Sequence, residues 1–426
     1  MLKNFLIKNS LKVLLLRASG IVLMFLLSLF LTNSFSAEIV GQYDFVRSFL
    51  MILSGASLLG TNQAIIYYSG ILTSKKSFGS IKSIYFKMNF LILIACAILY
   101  APLLVIDKEI INQIFNKQGA YELVSLSLQG LVFYSITMLN IDTIRALKHT
   151  LISEGFRNIF RYMPFFIFSI ILYIIDSPED LVLWFIYSFV VIFVISTAVV
   201  YFFLFNKNFP KSAAHNFSST EILRASYPMA LSAISYFLMQ STDVLFISAY
   251  DTFESVAYYS IAVKLATVTA LALISVNIVI APKIATIYND KNFYQLKLIL
   301  KKATRMNVVI SLPIIIILLF FSEYVLSTFG SNYILAKNAL WILLIAQFFN
   351  SITGPSALYL NMTGRQKKLN VILVISLLIN VVLNIILVPD FGMLGAAIST
   401  TTSFVISKIL ASALVFYLDN VKTFIS

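Results

Sequence analysis

One cysteine and two histidines are all this 426-residue chain offers to thiol or imidazole chemistry, and charged residues make up only 12% of it. Cys96 lies inside an apolar run, which excludes an intrachain disulfide and a thiolate metal centre. His149 and His215 sit in separate short polar connections, so neither a histidine metal site nor an intramembrane histidine proton relay is expected. There is no GxxxxGK[ST] phosphate loop, hence no motif for ATP hydrolysis. Paired carboxylates, nucleophile–base pairs and metal-ligand clusters on an ordered soluble domain are also missing, so neither an enzyme nor a cofactor is expected. What the chain does have is apolar: 60% hydrophobic residues, including 37 Phe and 22 Tyr, in runs that recur from residue 11 to residue 418. That composition defines an all-α integral membrane protein.

A spanning helix needs about 20 mainly apolar residues. By that measure the chain contains twelve spans: 11–36, 43–72, 84–106, 120–144, 158–176, 181–205, 221–250, 254–283, 304–322, 333–361, 369–389 and 393–418. The first resembles a signal peptide, with "SFSA" before Glu38, but its apolar stretch is longer than a signal core and it is expected to stay as a span.

Cytoplasmic connections collect Lys and Arg. With the N-terminus inside, the cytoplasmic side receives most of the 31 basic residues, among them Lys82, Lys87, Arg145, Arg157, Arg161, Lys283, Lys297, Lys301, Lys302, Arg305, Arg365 and Lys422. Lys108, Lys117 and Lys337 fall outside, where Asp107, Glu109, Asp176, Glu179, Asp180, Asp251 and Glu254 also lie. An even number of spans with both termini cytoplasmic satisfies every loop. The net charge of +13 is therefore a topology signal, and nucleic-acid binding is not expected. External connections are too short for a folded domain, which argues against a polysaccharide polymerase or glycosyltransferase.

The chain also repeats itself. "RAS" at 17–19 recurs at 224–226, each at the entrance to a long span. Glu38-Ile39-Val40-Gly41-Gln42-Tyr43 is echoed by Glu254-Ser255-Val256-Ala257-Tyr258-Tyr259, and Arg47 and Lys264 follow four and five positions later. Matches in one order point to a duplication. The expected organisation is two parallel six-helix bundles, 1–206 and 221–426, joined by a polar cytoplasmic linker at 207–220.

Longer stretches resemble a known family. "RASG", "SAEIVGQYDF", "LLGTNQAIIYY", "YPMALSAISYFLMQSTDVLFIS" and above all "LNMTGRQKKLNVILVISLLINVVLNIILVPDFGMLGAAISTTTSF" at 360–404 are similar to the polysaccharide transporter branch of the MOP flippase superfamily. The resemblance implies pseudo-symmetric bundles around a central cavity, and a Wzx-type flippase of lipid-linked oligosaccharide in the bacterial inner membrane. The related lipid II flippases usually have fourteen helices rather than twelve.

Ionisable residues within spans are costly unless they face a cavity or a partner, which makes each a candidate. Arg47 shares a helical face with Ser54 and Thr61, and either lines the cavity or snorkels outward. Lys264 lies too deep for easy snorkelling and is expected to line the cavity; the related flippases carry basic cavity residues in these two helices. Asp243 shares a stripe with Ser232, Tyr236 and Gln240; it either binds a coupling proton or cation, contacts sugar hydroxyls, or neutralises Lys264. Lys408 is divided between cavity and snorkel, Arg17 between cavity mouth and topology anchor, and Asp142 is assigned to the interface. The row Ser376, Asn380 and Asn384 is expected to supply interhelical hydrogen bonds.

Basic candidates outnumber acidic ones, which suits an anionic headgroup such as a lipid-linked diphosphate. The expected activity is outward flipping of undecaprenyl-diphosphate-oligosaccharide, an O-antigen or capsule unit, by alternating access. The coupling is left open between proton, sodium and membrane potential. Membrane lipid and the lipid-linked oligosaccharide are the expected partners, with glycan-assembly proteins left open. A multidrug or cation antiporter of the same superfamily is the alternative, and it would be expected to carry carboxylates deep in its first helix; there are none between Lys12 and Ala37.

Overall fold

The structure is a computed structural model that describes residues 2–74, 77–206 and 217–424, with backbone alone at 2–11, 74, 78, 228, 232, 236 and 272. Every regular element among the described residues is helical. Among the described residues nine helices are long and apolar enough to cross a membrane, or eleven spans when two bent pairs count as one each. The first ten expected spans each have one counterpart, and the last two lie together in a single helix of 54 residues. The chain resolves into two compact units, Met1–Phe237 and Leu238–Ser426.

In the first unit, α1 (Leu2–Ser34), α2 (Ala37–Ser57), α3 (Thr61–Ser74), α4 (Ile81–Tyr100), the short α5 (Lys108–Ile114) and α6 (Ala120–Ala146) come first. The fifth span follows as α7 (Thr150–Gly155), a π-helical turn at Phe156–Phe160 and α8 (Met163–Ile174), then α9 (Leu181–Phe205) completes the sixth. α6 is the central helix and is buried along most of its length. Its polar groups are used between helices: Tyr85 donates to Asn140 Oδ1 at 2.7 Å, and Asn140 Nδ2 donates to Ser196 Oγ at 3.1 Å and Thr197 Oγ1 at 2.9 Å. In hydrocarbon an unpaired amide is expensive, so these contacts select the register of α6 against α4 and α9.

The second span is broken. Leu58 to Gly60 turn the chain through 43° between α2 and α3, with Leu59 and Gly60 at φ of 49° and 73°. Gly60 is required twice over, because a Cβ there would lie 2.5 Å from both Ala230 N and Ser226 O of α10 (Ser219–Tyr250).

The second unit begins within α10 and continues with α11 (Phe253–Val268), α12 (Leu271–Asn289), α13 (Phe293–Phe320), α14 (Ser322–Ser327), α15 (Lys337–Thr353), α16 (Ser356–Met362) and α17 (Gln366–Asp419). α11 and α12 meet at a 47° bend, so the span after each echoed acidic turn is broken in both halves of the sequence. Both spans also start alike: Ser36 Oγ accepts the Ile39 amide at 3.4 Å, and Thr252 Oγ1 accepts the Ser255 amide at 3.2 Å. α17 is interrupted at Gly392 (φ 52°, ψ −129°), leaving arms over 366–391 and 393–419, each long enough to span.

Several boundaries differ from the sequence expectation: the eighth span runs on to Asn289, the tenth ends at Thr353, and the fifth and ninth start earlier. The fifth span starts at Thr150 rather than 158, so beyond Arg161, which the expected 158–176 already contained, its helix carries Glu154 and Arg157. Hydropathy stops at these charges, but the helix continues because they are paired, Arg17 with Glu154 and Arg157 with Asp142. Asp142, assigned to the interface, is buried and is also approached by Asn62 at 3.3 Å. The ninth span starts at Phe293, and Lys297, Lys302 and Arg305 ride on its exposed face while Leu296, Leu300, Ala303 and Thr304 are buried. The central part of the 207–220 linker, 207–216 with His215, lies outside the described residues.

Candidate functional site

Two polar centres stand out, one in each unit. In the first, α2 carries Asp44 and Arg47 one turn apart. Arg47 Nε and its terminal nitrogen both reach Asp44 Oδ1 at 2.9 Å, with the Asp44 side chain fully buried and the Arg47 side chain 30% exposed. The same small cavity is lined by Arg161, Tyr43, Tyr134 and Tyr162, with Leu50 and Phe165 among its apolar walls. Arg161 donates to the Tyr134 hydroxyl at 2.9 Å, and its guanidinium stands 5.4 Å from the Tyr134 ring centre and 5.8 Å from that of Tyr162. Two guanidiniums facing one aromatic cavity can hold an anion.

The rest of the Arg47 stripe is differently employed. Ser54 and Thr61 are fully buried, and their hydroxyls donate to carbonyls of their own segment, Met51 O at 2.8 Å and Leu58 O at 2.7 Å. The bend at 58–60 also ends the straight helical row that their spacing assumed. Arg17 makes a two-pronged pair with buried Glu154, Nε to Oε2 at 2.9 Å and a terminal nitrogen to Oε1 at 2.8 Å, and Asn158 adds 3.1 Å to Oε2.

The second centre is Asp243 on α10. It is buried, and four neutral donors surround it: Tyr259 of α11 at 2.5 Å, Asn384 at 3.0 Å and Asn380 at 3.3 Å from the first arm of α17, and Thr400 from the second arm. No cation contacts it among the described residues, so of its three sequence readings the pairing with Lys264 is not seen and hydrogen bonds stand in its place. The side-chain carbonyl oxygens of Asn380 and Asn384 are buried without a hydrogen-bond partner. The carboxylate and two hydroxyl oxygens meet here, while both amides turn their nitrogens toward the carboxylate, so the group that can take a proton or a monovalent cation is Asp243 itself. The expected interhelical role of Asn380 and Asn384 is seen here, while Ser376 donates within its own helix to Ile372 O.

The other candidates lie apart from that centre. Lys264 is half-buried on α11, one turn before Thr267, whose hydroxyl donates to the Lys264 carbonyl at 2.7 Å. Lys408 is half-buried on the second arm of α17, its ammonium 5.1 Å from the Phe404 ring centre. Gln240 is exposed on α10, and the side chains of Ser232 and Tyr236 lie outside the described residues. Sequence reasoning missed Asp44, Glu154 and Arg161. Asp44 was legible from its spacing of three to Arg47; Glu154 and Arg17 are 137 positions apart, and no local pattern joins them.

With this geometry in hand, the chain can be set beside known proteins. The MatE family model matches residues 228–386. A probable low-salt glycan biosynthesis flippase, Agl15 of Haloferax volcanii, is 28% identical over 184 residues, 42% of this chain and 38% of that protein. A putative O-antigen transporter of Shigella flexneri is 30% identical over 159 residues, 37% of each chain. The matches thus span well under half the length of these two relatives. Among solved structures, an inward-facing multidrug resistance MATE transporter of the MOP superfamily gives a TM-score of 0.74 at 14% identity, covering 96% of this chain and 98% of that one. The lipid II flippase MurJ in an inward closed conformation gives 0.72 at 14% identity, covering 96% and 87%. The chain is a multi-pass membrane protein with the fold of the MOP superfamily transporters. The two relatives and two solved structures named above are, by their printed names, transporters and flippases.

Proposed function

We propose that this protein is a lipid-linked oligosaccharide flippase of the polysaccharide transporter branch, acting by alternating access on an undecaprenyl-diphosphate carrier in a bacterial inner membrane. Twelve spans with both termini cytoplasmic belong to the same reading. The observation that carries it is the sign of the membrane-embedded side chains. Arg47 and Arg161 face one cavity in the first unit, Lys264 and Lys408 lie on spans of the second, and α1 has no carboxylate from Lys12 onward. A diphosphate is matched by such cations, and a cationic drug is not. The printed names of the Haloferax and Shigella relatives point the same way.

Asp243 is the candidate coupling site, holding a proton or sodium ion among Asn380, Asn384, Tyr259 and Thr400. The membrane potential would add to the drive, because one net negative charge moved outward across 100 mV gains about 2.3 kcal/mol.

The test is the sidedness of lipid-linked oligosaccharide after deletion of the gene, with rescue by wild type and by Arg47→Ala/Lys264→Ala. Accumulation in the cytoplasmic leaflet, rescued by wild type alone, is the expected result. Normal sidedness with altered drug efflux would instead assign the chain to the multidrug antiporters, the reading favoured by the MatE match and the MATE-like fold.

A further inference from the structure

One short helix of the second unit is hinged at both ends and held by a single segment of chain. The run expected as one span over 333–361 breaks after α15 at Gly354, whose backbone (φ 61°, ψ −157°) leaves the helical region, and resumes as α16 beyond Pro355. Proline has no amide to give, so the Ser351 carbonyl loses the donor that a continuous helix would supply. At the other end Gly364 turns the chain at φ 75° before α17. The 7 residues of α16 therefore stand between two glycines of positive φ.

What restrains α16 comes from the far end of α17. Tyr359 of α16 donates to Asp419 Oδ2 at 2.6 Å, and Arg365 pairs with the same carboxylate. Asn420 then turns the chain at φ 52°, Val421 is fully buried, and Thr423 reaches α13, where its carbonyl accepts the Thr304 hydroxyl at 2.6 Å. The Thr423 hydroxyl lies 3.1 Å from Ser412 Oγ of α17. Glycine at 354 is what leaves room for this segment, because a Cβ there would come within 2.5 Å of Thr423 O and 2.2 Å of Thr304 Oγ1.

Two features make the contact reversible. Thr304 Oγ1 has one proton and two acceptors in reach, Thr423 O and, at 3.0 Å, Leu300 O of its own helix, so it keeps a bond when Thr423 leaves. Beside it the seated arrangement leaves polar groups unsatisfied. Asn307 lies on α13 between Thr304 and Ser311, which meets Ser351 Oγ at 2.6 Å, and is fully buried with neither its amide nitrogen nor its oxygen partnered. Asn350 Oδ1 and Ser356 Oγ, on the two sides of the break, are also buried without a partner. Such groups are unfavourable in an apolar bundle and are relieved wherever an opening admits water.

We propose that residues 419–423 are a latch on α16: while they are seated the break at Gly354 is held against α13, and when they lift, α16 swings about Gly354 and Gly364. The latch does not depend on what the protein transports, so it stands or falls separately from the flippase reading.

The experiment is hydrogen–deuterium exchange, resolved by peptide, on the purified full chain in detergent with the buried Cys96 replaced by Cys96→Ser. Ser412→Cys/Thr423→Cys puts two thiols where hydroxyls now stand 3.1 Å apart, close enough for a disulfide. Exchange across residues 353–364 is expected to be about tenfold slower in the oxidised pair than in the same protein reduced, and about tenfold faster than wild type in Thr304→Val, with α6 unchanged throughout. Equal exchange in the oxidised and reduced protein would overturn the latch, as would a Thr304→Val protein that exchanges no faster than wild type. Failure of the pair to oxidise would show that residue 423 does not seat on α17, and refutes it as well. Should the cysteine pair not fold, a chain ended after Asp419 takes its place beside Thr304→Val: faster exchange confined to 353–364 is expected in both, and unchanged exchange in either refutes the proposal.

Discussion

Asn384 Nδ2 sits 3.0 Å from Asp243 Oδ1, joining two residues 141 positions apart and tying the first arm of α17 to α10. The contact uses the amide's nitrogen and leaves its buried oxygen without a partner, while the carboxylate keeps only neutral donors and can still take a positively charged species.

If that species is the coupling ion, Asp243→Asn should remove the dependence of transport on the sodium or proton gradient while the protein stays folded, since the amide preserves shape. Transport into vesicles with imposed gradients checks it. Unchanged ion dependence in the variant would exclude Asp243 from coupling. Asp243→Ala should be harsher, stranding four donors at a cost of about 1–3 kcal/mol for each one that finds no water.

The Arg17–Glu154 pair should behave as a strut. Arg17→Ala would leave the Glu154 carboxylate buried and unpaired, a loss of about 3 kcal/mol in thermal or denaturant unfolding, less if water reaches it past α1. The double variant Arg17→Ala/Glu154→Ala should recover much of that loss, because the stranded charge is gone. Loss of transport in the stable double variant would instead place Arg17 in substrate handling.

Gly60→Ala is expected to destabilise by more than about 1 kcal/mol, because φ of 73° disfavours a side chain and the new methyl would press on the backbone of α10. Gly70, where a Cβ meets nothing within 4 Å, serves as the control: Gly70→Ala should leave unfolding unchanged or slightly improved.

Lys264→Ala should abolish translocation without loss of the protein from the membrane, and Lys264→Arg should retain part of the activity by keeping the charge. Leaflet-resolved labelling of the lipid-linked sugar measures both. Near-normal flipping by the alanine variant would remove Lys264 from the mechanism.

The amino-acid sequence by itself determined that the chain is an all-α membrane protein, roughly where its spans lie, and that an acidic segment ahead of the second span is echoed in the second half. These follow from local quantities: about 20 apolar residues per crossing and short matches that recur in one order. It also marked Asp243, Asn380 and Asn384 as polar residues too costly to bury idly. What it could not reveal is which groups meet. Hydropathy began the fifth span at 158, yet its helix starts at Thr150 and carries Glu154 and Arg157, because Arg17 and Asp142, distant in sequence, pair with them. Tertiary packing likewise gave Asp243 neutral partners in place of Lys264, spent Ser54 and Thr61 on their own backbone, and set Arg161 beside Arg47. The physical reason is common to all of these: the cost of an ion or hydroxyl in hydrocarbon is local, but the partner that offsets it is chosen by how helices pack.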